Sequence, residues 1–246
     1  VRCGGDSKTF TLDLGNNFDT SNVVNMSNMF ARCGESSTVF QLNLGNKFDT
    51  SNVTNMHSAF SSCGYASTDF ILDLGDKFDT SNVTDMCHMF SDCGYSSKIF
   101  TMDLGDKFST EKATDMSYMF CGTGEKSTAF KELDLSGFTT HNITRRYNLS
   151  RMVADCPVTT IIFGEGWADA PLPPEGSSYG FGYTRSNIPT TVIGATKNLL
   201  SYDWAKDNRA VTFPGREYCT ITVLAEDGGT VSGGGKKVEG ASVTLT

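Results

Sequence analysis

Apolar residues return to the same place every thirty positions. Phe10, Phe40, Phe70, Phe100 and Phe130 form one series, and Phe18, Phe48, Phe78, Phe108 and Phe138 form a second. Just after the first series the chain alternates. In FQLNL, Phe40, Leu42 and Leu44 fall on one side and Gln41 and Asn43 on the other, which predicts a half-buried strand. Gly45 then releases the chain into a turn, and Phe48 and Val53 flank the turn-forming DTSN. Met56 and Phe60 lie four apart, the spacing of one helical face. Asn25, Asn55, Asp85 and Asp115 precede this segment in each copy and read as caps of a one-turn helix. Gly34, Gly64, Gly94 and Gly124 stand where such a helix should end.

One unit is therefore strand, turn, extended piece, short helix, glycine and return. It cannot bury its own apolar face, but stacked copies can, and that defines a solenoid. Parallel strands about 4.8 Å apart would form a sheet along one side. Phe18, Phe48, Phe78 and Phe108 are expected to form a buried column. The nine-residue phrase FDTSNVTNM (Phe48 to Met56) is on this reading scaffolding rather than a catalytic motif.

The repeat LDLGNKFDTSNVTNM…F…CG resembles that of BspA-like leucine-rich bacterial surface proteins. KELDLSGFTTHNIT (Lys131 to Thr144) is similar to their usual form, with a one-residue shift around Leu133 and Leu135. The resemblance runs from about Val1 to Trp167. It implies an α/β repeat, a leucine-rich-repeat-like solenoid with a parallel sheet and short helices, displayed outside a bacterial cell and linked to adhesion. The expected organisation is a solenoid over residues 1–167, a β-rich C-terminal cap over 168–215, and a β-hairpin over 216–246. The hairpin segment, CTITVLAEDGGTVSGGGKKVEGASVTLT, resembles the opening of an internalin-B-type repeat. Both ends read as cut from a longer protein.

Composition narrows the function. Fourteen of the 17 Phe lie between Phe10 and Phe138, so apolar material is concentrated in the repeats. Net charge is −8 with no basic run, which argues against nucleic acid as the main partner. No apolar stretch approaches the roughly 18 residues of a membrane span.

Several residue sets invite chemistry. Cys3, Cys33, Cys63 and Cys93 keep the repeat register, with Thr123 and Cys156 continuing it; none forms a CxxC pair, so no metal is expected. A column of buried thiols is favoured over disulfides, although an extracellular setting permits both. His57 and Cys87 occupy equivalent places on neighbouring coils, yet no third group orients them as a nucleophilic pair. Asp13, Asn43, Asp73, Asp103 and Asp134 form a column for which solvation is favoured over calcium binding. Asn52, Asn82, Asn142 and Asn148 begin N-x-S/T sequons and read as turn formers rather than glycan sites.

Binding should use positions that vary while the frame stays fixed. Glu35, Tyr65, Tyr95 and Glu125 vary just after the glycine, and Thr11, Gln41, Ile71, Thr101 and Lys131 vary on the strand face. The expectation is a non-enzymatic, cell-surface adhesin or binding module without a cofactor, contacting a host or bacterial protein or glycan. The alternative is a spacer holding another domain away from the cell wall.

Overall fold

The computed structural model describes residues 3–4, 7–75, 77–167, 191–193, 218–221 and 235–238. Strands recur at the expected places: β1 (Thr9–Asp13), β2 (Val39–Asn43), β3 (Asp69–Asp73), β4 (Ile99–Asp103), β5 (Glu132–Leu135), β6 (Thr160–Phe163) and β7 (Thr191–Ile193). β1 pairs parallel with β2 and β3 with β4, so Phe10 stands beside Phe40 and Phe70 beside Phe100. β5, β6 and β7 form a parallel three-stranded sheet. The chain thus winds into a β-solenoid of about five coils. β7 falls within the segment expected to cap the solenoid; the rest of 168–215 lies outside the described residues. β8 (Tyr218–Ile221) and β9 (Gly235–Val238) pair antiparallel in the segment expected to form a hairpin.

Three columns of rings run through the interior, the first made of Phe10, Phe40, Phe70, Phe100 and Phe130 at centroid spacings of 5.3–6.1 Å. Phe30, Phe60, Phe90 and Phe120 stack at centroid spacings of 5.1, 5.5 and 5.5 Å. Phe48, Phe78, Phe108 and Phe138 stack beside them at 6.4, 6.5 and 5.5 Å. Phe78 is fully buried, whereas Phe18 is 42% exposed and Phe108 only half-buried. The expected column therefore begins one coil late. Register gives both Phe18 and Phe108 their positions, but Phe18 lies in the first of these coils and Phe108 borders the open junction between β4 and β5, so each has less cover than Phe78.

The segment expected to be a one-turn helix is not helical. Among the described residues the helical pieces are two short 3-10 turns, Arg146–Leu149 and Glu165–Trp167. From Met26 onward the chain instead makes a run of overlapping tight turns. The N–H groups of Met29, Ala31 and Cys33 donate to the carbonyls of Met26, Asn28 and Phe30 at 3.0–3.2 Å. The N–H groups of Met26, Asn28, Phe30 and Arg32 donate to Asn55, His57, Ala59 and Ser61 in the next coil at 2.8–2.9 Å. Alternation between own coil and next coil needs left-handed backbone at fixed places, and Asn28 (φ 58°) and Arg32 (φ 60°) supply it. Such residues are disfavoured by roughly 1–2 kcal/mol each, which the added inter-coil bonds offset. Ser58, Ser62, His88, Asp92 and Tyr118 repeat the conformation, and none is β-branched.

A column of threonines also ties the coils together, at the turn after the strand. Thr50 Oγ1 donates to the Asp79 carbonyl at 2.8 Å and accepts the Asp79 N–H at 2.7 Å. Thr20 and Thr80 make the same two-way contact with the next coil, and all three are buried. A hydroxyl both gives and receives, so it bridges coils without leaving a polar group unmatched.

The stack has one irregular junction. Phe100 and Phe108 align with Phe130 and Phe138, but the strand between them slips by one residue. Inward Met102 and Leu104 correspond to Leu133 and Leu135, thirty-one positions on. The extra residue delays β5 to Glu132, and β4 and β5 share no ladder. Coil five also gains residues on its turn side. Met56 donates to Asp85, 29 positions ahead, whereas Met116 donates to Asn148, 32 ahead. The three additional residues are taken up around the Arg146–Leu149 turn.

Phe78→Ala removes a ring from the middle of a column and should cost about 3–5 kcal/mol, measured by urea unfolding. Phe18→Ala should cost less than about 1 kcal/mol, and equal losses would refute the burial difference. Thr80→Val keeps the volume but strands the Ser109 N–H and carbonyl, and should cost about 1–3 kcal/mol. A neutral result would show that the threonine column is incidental.

Candidate binding surfaces

Variation among coils is displayed on two surfaces. The first lies just after the repeat glycine. Gly64 and Gly94 adopt φ of 62° and 59°, and Tyr65 and Tyr95 leave the backbone in the same direction from successive coils. Their rings lie 4.7 Å apart and within 4° of parallel. That separation is the spacing of adjacent strands, so the frame itself sets the stack. Lys126 Nζ stands 5.4 Å from the Tyr95 ring centre and 2.7 Å from Glu125 Oε1. Arg32 Nη1 lies 3.7 Å from Glu35 Oε1. The four expected residues are thus brought together, but as half-buried side chains rather than freely exposed ones. Each ring covers a face of the other, which leaves edges and hydroxyls for contact. The acidic rim carries a cation beside each glutamate.

The electrostatics follow from that crowding. A hydrogen bond to Glu125, with burial second, pushes the Tyr95 phenol above its ordinary pKa. Burial, then the Asp92 carboxylate, does the same for Tyr65. Asp92 itself is pushed up, chiefly by burial. A Cβ at Gly122 would sit 2.4 Å from Asp92 Oδ1, so glycine in that coil leaves space for the carboxylate.

The strand face is the second surface. Thr11, Gln41, Ile71 and Thr101 point outward, with Thr11 beside Gln41 and Ile71 beside Thr101. Lys131 is exposed just ahead of β5. Ile71 is 68% exposed, and Val39 and Ile99 add further exposed apolar area two residues upstream in their strands. Comparison of Gln41 with Ile71 missed Val39 and Ile99, although the period-two alternation places them on the same face.

The other candidates have structural employment. Asp13, Asn43, Asp73, Asp103 and Asp134 each accept the N–H two residues on, from Gly15, Gly45, Gly75, Gly105 and Ser136, at 2.8–3.0 Å. Asn substitutes for Asp there because either supplies the oxygen such a turn needs. Asn25, Asn55, Asp85 and Asp115 make the same bond, capping the turn run instead of a helix. The amides of Asn52, Asn82, Asn142 and Asn148 donate to the preceding coil, to Ser21, Ser51, Glu111 and Thr114 carbonyls. Among the described residues no three His, Cys, Asp or Glu are grouped closely enough to hold a metal ion.

His57 and Cys87 find different partners. His57 Nδ1 lies 3.7 Å from Asp85 Oδ1, while Cys87 Sγ accepts from Ser117 Oγ at 3.2 Å. Burial pushes the Cys87 thiol up to about 11, against the lowering effect of Ser117, so it is a neutral thiol near pH 7. One register later lies an aromatic row that the sequence reading passed over. His88 stacks on Tyr118 at 4.5 Å, and the Arg151 guanidinium stands 5.9 Å from the Tyr118 ring centre.

Cys33, Cys63, Cys93 and Cys156 are buried free thiols, and Thr123 fills the interrupted place by donating to the Phe90 carbonyl at 2.7 Å. Burial raises Cys33 to about 11 and pushes Cys63, Cys93 and Cys156 well upward. A raised folded-state pKa gives stability that is full below the unfolded thiol pKa of about 8.5 and is lost at higher pH. The urea midpoint under reducing conditions should therefore hold steady from about pH 6.5 to 8 and fall toward pH 10. Cys63→Ala should make that decline shallower. A midpoint level to pH 10, or an unchanged slope in the variant, would refute the thiol column as its source.

The chain matches the family described as Mycoplasma protein of unknown function, DUF285, over residues 5–132 and 66–158, and belongs to it. The two overlapping matches are what a repeat produces when it can be laid on itself in more than one register. No curated protein and no solved structure matches the chain.

Proposed function

We propose that this β-solenoid is a non-enzymatic binding module on the outside of a bacterial cell, presenting a ladder-like surface to a host or bacterial protein or glycan. The observation that carries the reading is the Tyr65–Tyr95 stack, 4.7 Å apart on an otherwise repeated frame. Turn, threonine and phenylalanine positions are held from coil to coil, while the register after the glycine changes from Glu to Tyr and back. Tyrosine offers large contact area at small entropic cost, and Glu35, Arg32, Glu125 and Lys126 give the pair a mixed-charge border. The strand face with Gln41, Ile71 and Thr101 is the second contact surface. The surface location and adhesive role rest on the resemblance to BspA-like repeats, with which we propose a shared ancestry.

A spacer role is the second reading. It is favoured by the bonds running along the stacking axis, which suit a stiff rod whatever its surface carries. The two readings part on binding. A screen of the intact chain against mucin, matrix proteins and immunoglobulins should yield a saturable partner for a binding module and none for a spacer.

The double variant Tyr65→Ala, Tyr95→Ala should unfold cooperatively, with a loss near the 0.5–1.5 kcal/mol of an aromatic pair plus its partial burial. It should weaken partner binding by at least ~2 kcal/mol, the threshold of a hot spot. Unchanged affinity in the folded double variant would move the contact off this pair.

A further inference from the structure

The interrupted junction between β4 and β5 leaves an open crevice of about 470 Å³, within the roughly 300–1,000 Å³ usual for ligand sites. We infer that this crevice docks an extended, lysine- or arginine-bearing segment of a partner protein, which enters as an added strand between β4 and β5.

Four observations converge on it. The first is the strand slip. Phe100 and Phe108 remain in register with Phe130 and Phe138, their rings 5.3 and 5.5 Å apart, so the core holds the two coils together. The strands above that floor are out of phase and unladdered. β2 and β3 also lack a continuous ladder, but Phe40, Leu42 and Leu44 stay thirty residues from Phe70, Leu72 and Leu74, and the strands remain adjacent. Only the β4–β5 interruption carries a change of phase. Strand edges that face a gap offer backbone groups for pairing.

The second is charge. Asp103, Asp106, Glu132 and Asp134 stand at the mouth, and the lining contains no Lys or Arg. Asp103 and Asp134 keep one oxygen on the N–H of Gly105 and Ser136, while Asp106 and Glu132 are exposed. The carboxylates are too dispersed to form a metal cluster among the described residues, so long cationic side chains suit them better than a bare ion. The third is the floor, where Phe108, Phe130, Leu133 and Phe138 are apolar. A strand alternates its side chains, so an occupant that alternates apolar and basic residues satisfies floor and mouth together. The fourth is access. A Cβ at Gly137 would meet nothing within 4 Å, which leaves that end of the crevice open. The site shares no residue with the tyrosine pair.

The test uses the 246-residue chain and a labelled seven-residue peptide of alternating Lys and Val, followed by fluorescence anisotropy. Controls are the alternating Glu and Val peptide and the Lys–Val peptide with alternate backbone nitrogens methylated. Saturable binding of the Lys–Val peptide is expected, with each control weaker by at least about tenfold, or 1.4 kcal/mol. Asp106→Lys with Glu132→Lys should cause a similar loss. Gly137→Trp, which fills the crevice without changing its charge, should do the same if the charge variant fails to fold. Tyr65→Ala with Tyr95→Ala should leave this binding unchanged, so the outcome is separate from that of the surface proposed above. No saturable binding, equal binding of either control, or full affinity in a folded crevice variant would overturn the inference. Equal binding of the methylated peptide would identify charge attraction without strand addition.

Discussion

Each coil is held to the next by alternate backbone N–H groups of its turn run, and the rest of the molecule depends on that arrangement. Met26, Asn28, Phe30 and Arg32 reach forward to the next coil while the residues between them close turns at home. The pattern fixes which residues must adopt left-handed backbone, and it sends Met26, Phe30 and Cys33 inward. It also sets the tolerance of the repeat. Extra residues are accepted at the Arg146–Leu149 turn, because the bonds resume at Asn148, Ser150 and Met152. The strand ladder is the freer side, since it lapses between β2 and β3 and again between β4 and β5 while the turn-side bonds continue.

A fixed frame places like on like about 4.8 Å apart, so each column has to consist of groups that gain from their own kind or find another partner. Phenylalanines gain by stacking. Threonines gain because a hydroxyl donates forward and accepts in return. Carboxylates lose by repulsion, and Asp19, Asp49 and Asp79 answer this by accepting the N–H of Ser21, Ser51 and Ser81. Hydrogen bonds from Ser21 hold the Asp19 carboxyl below its ordinary pKa, and Ser51 does so for Asp49. The aspartates of the repeat phrase thus hold turns, which gives the nine-residue motif a structural reason to recur.

The architecture was legible in the sequence because a thirty-residue period with alternating FQLNL segments leaves few alternatives to a stacked parallel sheet. The helix was misread for a physical reason. Met26, Phe30 and Cys33 have helical spacing, and a run of turns that closes every four residues buries the same positions. The distinguishing signal was the absence of β-branched residues at Asn28, Ser58, His88 and Tyr118 and at Arg32, Ser62 and Asp92. Register brought Tyr65 and Tyr95 together correctly, but it could not show that two flat rings at coil spacing cover one another. The slip at Leu133 and Leu135 was visible as a shift in the motif. Its opening of the sheet was not, because that depends on the flanking phenylalanines refusing to move with the strand.

A repeat protein meets a particular obstacle in building a single site, since any feature of the regular unit appears again thirty residues later. Two routes around it are present. In the first, the frame is kept and the side chains vary, as where Glu35 gives way to Tyr65 and Tyr95 and then to Glu125. The result is a patch whose spacing is inherited from the backbone. In the second, the period itself breaks. Coil five does this on its strand side through the one-residue slip and on its turn side through the residues around Tyr147. Both departures fall in one coil and leave its phenylalanine floor intact. A random loss of register would disturb the core first, because a one-residue slip reverses every side chain in a strand. Here the extra residue before β5 is cancelled by a loop one residue shorter after it, so Phe138 returns to its column. A compensated slip changes the surface while keeping the core, and that combination lets the sheet open at coil five while the ring columns run on.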